Sequence, residues 1–363
     1  MTEDFLHPED QRWSDVLRHV RHDVYHLPSY TSIASSYEGG QPVAFYARDG
    51  NDILLVPLLL RQVPHNITSL GELWDASSPY GYPSPLFSRP DRMEACRNLI
   101  AVLVQALRDK GLITLFLRMH PLLNQPLGDW SQVGDLVQHG WTVSIDLQRP
   151  LEALISETSN NHRRGIRKLS KAGFSAVLDN WDDYPTFISL YRQTMKRVGA
   201  RPFYLFEGTY FDQLRELLGS HLHLCSVIAP TGELAAGGLF TEVDGLMEYH
   251  LGGSRTDFPG LAPSKMMFDF MRRWGHAQRF LSLHLGGGLG GCKDSLFDFK
   301  AGFSSRYSPF HTFRLVLDHS VYATLCDAWT KATGQEKAND NFFPLYKKPE
   351  KPNNYFMKHH PLH

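Results

Sequence analysis

Apolar positions along this chain recur with period two in some stretches and with helical spacing in others, and the changes of period mark out its elements. In the first half, residues 42–46 and 53–61 are predicted strands on either side of Asp49-Gly50-Asn51, a hairpin signal. A loop rich in Pro, Gly, Ser and Tyr follows over 77–90. A helix is then expected from about 92 to 110, with Leu99, Val102, Leu103 and Leu107 at core spacing. Gly111 ends it, and 112–118 is a strand.

The second half repeats this order. Strands are predicted over 224–229 and 233–241 around Thr231-Gly232, and after Asp244-Gly245 a third covers 246–251. A loop over 252–263 leads to a helix over 264–274, with Met267, Phe270, Met271 and Trp274 on one side. Gly275 is expected to end that helix, and 280–285 is a strand. Hairpin, loop, helix and strand thus occur twice, which predicts an α/β (α+β) chain of two tandem units, each a mixed sheet flanked by helices. Gln148-Arg149-Pro150 marks the boundary. A helical insert follows, comprising 151–156, the basic run Asn160-Asn161-His162-Arg163-Arg164-Gly165-Ile166-Arg167-Lys168-Leu169-Ser170-Lys171, and helices over 184–197 and 209–218. The expected domains are 1–148, 149–330 and a C-terminal extension, 331–363.

With 363 residues the chain is long enough for two such cores. Its 42% apolar and 21% charged residues are those of a globular protein, and a net charge of −1 demands no nucleic acid. DNA is not expected as a partner, so any polyanion must be held by local basic clusters. Cys96, Cys225, Cys292 and Cys326 are scattered without a CxxC pair, which predicts reduced thiols and no metal site. The acidic start Met1-Thr2-Glu3-Asp4 lacks a secretory pattern, and the apolar run 53–60 is too short to span a bilayer. The expected location is the cytoplasm. His359, His360 and His363 are expected in a loose tail, not in a metal site.

The chemistry concentrates where the last repeated strand ends. Leu283-His284-Leu285-Gly286-Gly287-Gly288-Leu289-Gly290-Gly291 runs through Asp294-Ser295-Leu296 to Phe299-Lys300-Ala301-Gly302-Phe303. Glycines let backbone amides approach a ligand, so Gly286, Gly287 and Gly288 are expected to hold a carbonyl or phosphate, with Lys300 beside the developing charge. The alternative is a tight turn whose lysine pairs with Asp294 or Asp298.

These motifs resemble GNAT-type acyltransferases, and more specifically the Fem-type aminoacyltransferases, which hold two GNAT domains in tandem. The basic run at 161–168, Thr194 with Arg197, Tyr210-Phe211, Glu248-Tyr249-His250-Leu251-Gly252-Gly253-Ser254 and the glycine loop with Phe299-Lys300 all resemble that family's elements. The resemblance implies acyl transfer to an amine, with Lys300 and Phe299 as catalytic candidates. It implies no tightly bound cofactor, and an aminoacyl-tRNA or acyl-CoA as donor co-substrate. In the Fem group the donor is charged tRNA and the acceptor a peptidoglycan precursor, so peripheral contact with membrane-linked precursors is a further expectation.

Other roles follow from residue type. His250, Asp294 or Tyr249 can accept the amine's proton. Arg163, Arg164, Arg167, Lys168 and Lys171 on one helix are candidates for phosphate binding, and the resemblance makes Arg197 a substrate-binding candidate. Tyr80 and Tyr82, in Pro79-Tyr80-Gly81-Tyr82-Pro83, are candidates for an acceptor cleft, and the run from Asp23 to Tyr30 is a weaker one. The segment Asp257-Phe258-Pro259-Gly260-Leu261-Ala262 stands where CoA-dependent relatives cradle pyrophosphate. Asp257 and the prolines, Pro263 included, depart from that pattern. The expected function is aminoacyl transfer to an amine of a cell-envelope precursor or small metabolite. The alternatives are an acyl-CoA-dependent N-acetyltransferase and a non-catalytic binder of tRNA or a phosphorylated ligand.

Overall fold

The computed structural model describes residues 1–63, 71–123, 126–335 and 342–349. His359, His360 and His363 lie outside the described residues, as does most of the expected extension. The chain begins β1 (Thr2–Leu6), α1 (Gln11–Leu17), α2 (Pro28–Glu38), β2 (Gln41–Asp49), β3 (Asp52–Gln62), β4 (Trp74–Ser77), β5 (Leu86–Phe87), α3 (Met93–Asp109), β6 (Leu112–Arg118) and α4 (Leu127–Trp130). It continues with β7 (Asp135–Asp146), α5 (Leu151–Glu157), α6 (Asn160–Lys171), β8 (Ser175–Leu178), α7 (Tyr184–Arg197), α8 (Gly208–Leu218), β9 (Leu222–Ile228), β10 (Leu234–Val243) and β11 (Leu246–Ser254). The last elements are α9 (Ser264–Ala277), β12 (Ser282–Gly287), α10 (Ser295–Ala301), β13 (Arg306–Val316) and α11 (His319–Thr333).

Two compact units result. The first joins Met1–His139 to the described residues from Phe310 onward, and the second is Gly140–Pro309. In the first, strand order is β1-β2-β3-β4-β6-β13; in the second it is β7-β12-β11-β10-β9-β8. Each unit carries an antiparallel run followed by a parallel pair bridged by a helix. That pair is β4 with β6 across α3, and β11 with β12 across α9. The repeated plan read from the sequence is therefore present. Its first copy includes β4, in a stretch given no element from the sequence, and β5, which lies inside the expected loop over 77–90.

The division of the chain differs from the expected domains. β7 follows the first half yet pairs with β12, and β13 follows the second half yet pairs with β6. The reason is hydrophobic. Val143 and Ile145 of β7 lie in the second unit's core, whereas Phe313 and Leu315 of β13 lie in the first unit's core beside Leu99, Leu103 and Leu107. Residues 310–330, expected with the second domain, therefore belong to the first. On α11, Leu325, Cys326 and Trp329 cluster with Ile113, Leu345 and Tyr346. The helices expected between the units pack on the second unit's own sheet, with Leu154 and Leu169 in its core. Gly275 does not end α9 but lies inside it, where a Cβ would press on Met247 and Leu147. A glycine chosen for close packing had the appearance of a stop signal.

Candidate active site

The parallel pairing of β11 and β12 is short. Leu246, Met247 and Glu248 face Ser282, Leu283 and His284, and there the register ends, although β11 runs on to Ser254 and β12 to Gly287. The two strands therefore splay, and their inner edges open a gap beyond Glu248 and His284. A bulge between His284 and Gly286 turns the end of β12 away, and Gly286 takes φ +74°.

The glycine loop then folds back onto α10. Asp294 caps that helix: one carboxylate oxygen accepts the Phe297 amide at 2.9 Å and the other accepts the Leu289 amide at 2.9 Å. Gly288 lies so close to Asp294 and the Cys292 carbonyl that a Cβ has no room. The amides of Gly291 and Cys292 are bonded to the carbonyls of Gly288 and Leu289. The amides of Leu289, Gly291 and Cys292 are thus engaged inside the loop, downstream of Gly286, Gly287 and Gly288, the glycines expected to meet a ligand.

What the loop offers Lys300 is a carbonyl. Lys300 is 6% exposed, and its Nζ donates to the Gly287 carbonyl at 2.7 Å and lies 5.8 Å from the centre of the Tyr249 ring. Its side chain thus stands at the mouth of the splay, touching β12 on one side and facing β11 on the other. Among the described residues it forms no ion pair with Asp294 or Asp298, so the simple pairing considered from the sequence is absent. Burial lowers its pKa from the ordinary lysine value to about 8, with Asp294 and Glu248 pulling it back up. Phe299 packs against His162, Phe268 and Phe303 with ring centres 5.1–5.7 Å away, and its carbonyl accepts from His162 Nε2 at 2.8 Å. His162 fixes the adjoining α6 to the lysine-bearing helix.

The three residues considered as bases fare differently. Tyr249 packs between Phe240 and Phe268, and burial raises its phenol well above the usual range. His250 is the next residue in the strand and faces the other way, where its Nε2 meets the Tyr210 hydroxyl at 2.9 Å. Burial lowers it to about 4. Asp294 is occupied with its two amides. The sequence reading passed over a pair at the vertex of the splay: His284 Nδ1 donates to Glu248, with the two carboxylate oxygens at 2.7 and 3.0 Å. The available signal was an acidic residue in one strand and a histidine in the other, each set among residues that read as core.

The remaining candidates are spread out. Arg197 donates to the Ser254 carbonyl at 3.0 Å and, with Thr194, anchors the far end of β11 to α7. It also lines a cleft of about 410 Å³ with Gln193, Arg255 and Asp257. On α6, Arg164, Arg167, Lys168 and Lys171 are exposed, while Arg163 is half-buried and bonded to Asn160. Lys168 reaches the Gly260 carbonyl at 3.4 Å, so α6 flanks the segment between β11 and α9. Asp257 there is paired with Arg255. Tyr80 and Tyr82 belong to the first unit. The Tyr80 amide donates to Glu38 at 2.7 Å, and Tyr82 packs on Tyr25, His120 and Phe310. Asp23 is buried against His120 Nε2 at 2.9 Å, while His120 Nδ1 accepts the amides of Leu122 and Leu123. Those bonds make it a clamp on the chain.

The family model for the acetyltransferase (GNAT) domain matches residues 156–301, a span that includes the splay, the glycine loop and Lys300. No curated protein matches the chain. Among solved structures it is similar to FemX, with 14% identity, TM-score 0.70, and coverage of 89% of this chain and 99% of that one. It is also similar to L-PGS from Bacillus licheniformis (13% identity, TM-score 0.54, 91% and 99% covered). A third is a C-terminal domain attributed to a lysylphosphatidylglycerol synthetase of Agrobacterium fabrum (16%, 0.51, 86% and 92%). Residues 156–301 are thus a GNAT-type acyltransferase domain, and the chain shares its fold with FemX. Among the described residues no helix is long and apolar enough to cross a membrane.

Proposed function

We propose that this acyltransferase moves an aminoacyl group from charged tRNA to an amine of a cell-envelope precursor or small metabolite, with Lys300 at the reacting carbonyl. The observation that carries the reading is Lys300 itself: a buried ammonium at the mouth of the splay, held by one carbonyl and bordered by aromatic rings. An ammonium has three N–H groups, and Gly287 takes one. The others serve the oxyanion. The amine nitrogen bonds to the carbonyl carbon, the displaced π electrons reside on oxygen beside Lys300, and they return as the bond from carbon to the ribose oxygen breaks. The nitrogen's proton leaves with that oxygen. Lys300 stays protonated throughout, and one such donor contributes about 3–4 kcal/mol in a dry site.

The tRNA donor is supported by the exposed cations of α6 and by the segment over 257–262, whose carboxylate and prolines suit pyrophosphate poorly. A neighbouring structure's name, lysylphosphatidylglycerol synthetase, describes a product carrying a lysyl group. The second reading, an acyl-CoA donor, is favoured by the acetyltransferase match and by Gly260, whose φ of +66° forms a turn just before α9. Incubation with radiolabelled aminoacyl-tRNA or acetyl-CoA and a panel of amines separates them. Label passing only from acetyl-CoA rejects the tRNA reading. Unchanged biological activity in Lys300→Ala rejects both in favour of a binding protein.

A further inference from the structure

The helix that carries Lys300 is held at its C-terminal end by a histidine that the transfer step itself does not use. We propose that His162 of α6 is a positioning residue for Lys300: by bonding the Phe299 carbonyl it fixes the last turn of α10, and with it the place of the ammonium at the splay. This inference rests on the reading of Lys300 as the group that meets the oxyanion.

Helix α10 has seven residues, too few to be stable on its own hydrogen bonds, so its ends decide whether it holds its shape. Asp294 secures the first turn. The carbonyls of the last turn have no successors in the helix and need other donors. Those of Asp298 and Lys300 accept the amides of Gly302 and Phe303 at 3.1 and 3.0 Å. The Phe299 carbonyl shares the Gly302 amide at 3.2 Å, and its shorter bond, 2.8 Å, comes from His162 Nε2. Lys300 is the next residue in the chain. A twist of that turn would draw its Nζ off the Gly287 carbonyl, to which it donates at 2.7 Å.

His162 is built into this place. It is buried and packs on the rings of Phe299 and Phe303, with centres 5.1 and 4.6 Å away. Gly302 makes room for the imidazole, because a Cβ there would collide with Nε2. Nδ1 is buried without a hydrogen-bond partner among the described residues, so the ring is neutral with its proton on Nε2. Helix α6 is a fixed post for it. Leu169 lies in the second unit's core, and the amide of Ser159, the N-cap of α6, donates to the Gly302 carbonyl at 2.8 Å. The Ser159 bond joins the two helices whatever side chain stands at 162. The His162 bond reaches the residue before Lys300.

The test uses the full-length chain labelled at lysine Cε, with the Lys300 NMR signal identified by its loss in Lys300→Arg. The Tyr249 ring, 5.8 Å from Nζ, sets that signal apart from those of exposed lysines. In His162→Leu the signal is expected to move toward theirs, and kcat to fall about tenfold with KM for the donor unchanged. His162→Gln, which restores an N–H donor, is expected to recover both. Gly302→Ala crowds the imidazole while keeping it; it serves if the leucine variant does not fold, and is expected to act the same way. In a Lys300→Ala background His162→Leu should cost no further kcat. A merely structural role lowers thermal stability and leaves the signal in place. A folded His162→Leu or Gly302→Ala chain with the parental signal and kcat therefore overturns the assignment, as does a further tenfold loss in the Lys300→Ala background. The two readings fail separately: parental transfer by Lys300→Ala sinks the catalytic role, while the NMR signal decides the positioning.

Discussion

At the residue scale the decisive fact is that Lys300 is buried yet basic enough to stay charged at neutral pH. Its ammonium form is needed in the proposed step, so activity is expected to fall as pH rises through about 8. Lys300→Met should lower kcat by about two orders of magnitude with little change in KM, measured by label transfer at saturating donor. The same burial affects stability. A lysine whose pKa falls from 10.5 to about 8 on folding contributes stability that is fully present above 10.5 and is lost as pH falls through 8. Between those limits the unfolded chain binds the extra proton. Urea unfolding at a series of pH values should therefore show stability rising across that window, less steeply in Lys300→Met than in the parent.

At the element scale two helices carry separable jobs. The cap of α10 joins helix and glycine loop through one carboxylate. Asp294→Ala should cost about 1–2 kcal/mol in urea unfolding, a typical figure for a lost N-cap and its freed amide. It should also lower kcat, because the loop that presents the Gly287 carbonyl to Lys300 loses its tie. Helix α6 faces solvent with Arg164 and Arg167. Reversing both charges should leave stability within about 0.5 kcal/mol. If tRNA is the donor, it should weaken tRNA binding and flatten its salt dependence, read by filter binding across a salt series. The two residues were legible as surface cations from sequence because helical spacing alone sets them on one face. The occupied amides of the glycine loop were not, because Asp294 and Leu289 meet only through the fold.

At the scale of the whole molecule, each unit is completed by a strand from the other half of the chain. A fragment cut at the apparent boundary, 149–330, lacks the β7 residues that pair with β12 and carries β13 and α11 without their partners. A fragment covering 140–309 keeps its own sheet and core. The second is expected to give a cooperative urea transition and the first is not, measured by circular dichroism on both. Equal behaviour of the two would mean that the edge strands are dispensable.

The sequence by itself determined the local elements and the doubled α/β plan, because periodicity and turn residues act over a few neighbouring positions. Helix α7, from Tyr184 to Arg197, was placed correctly on that basis. Tertiary structure alone decided which half owns β7 and β13, which face of β11 His250 occupies, and what Gly275 is for. It alone brought Glu248 opposite His284. Pairing partners and burial depend on residues far apart in the chain, and a buried charge acquires its chemistry only from the neighbours that folding puts around it.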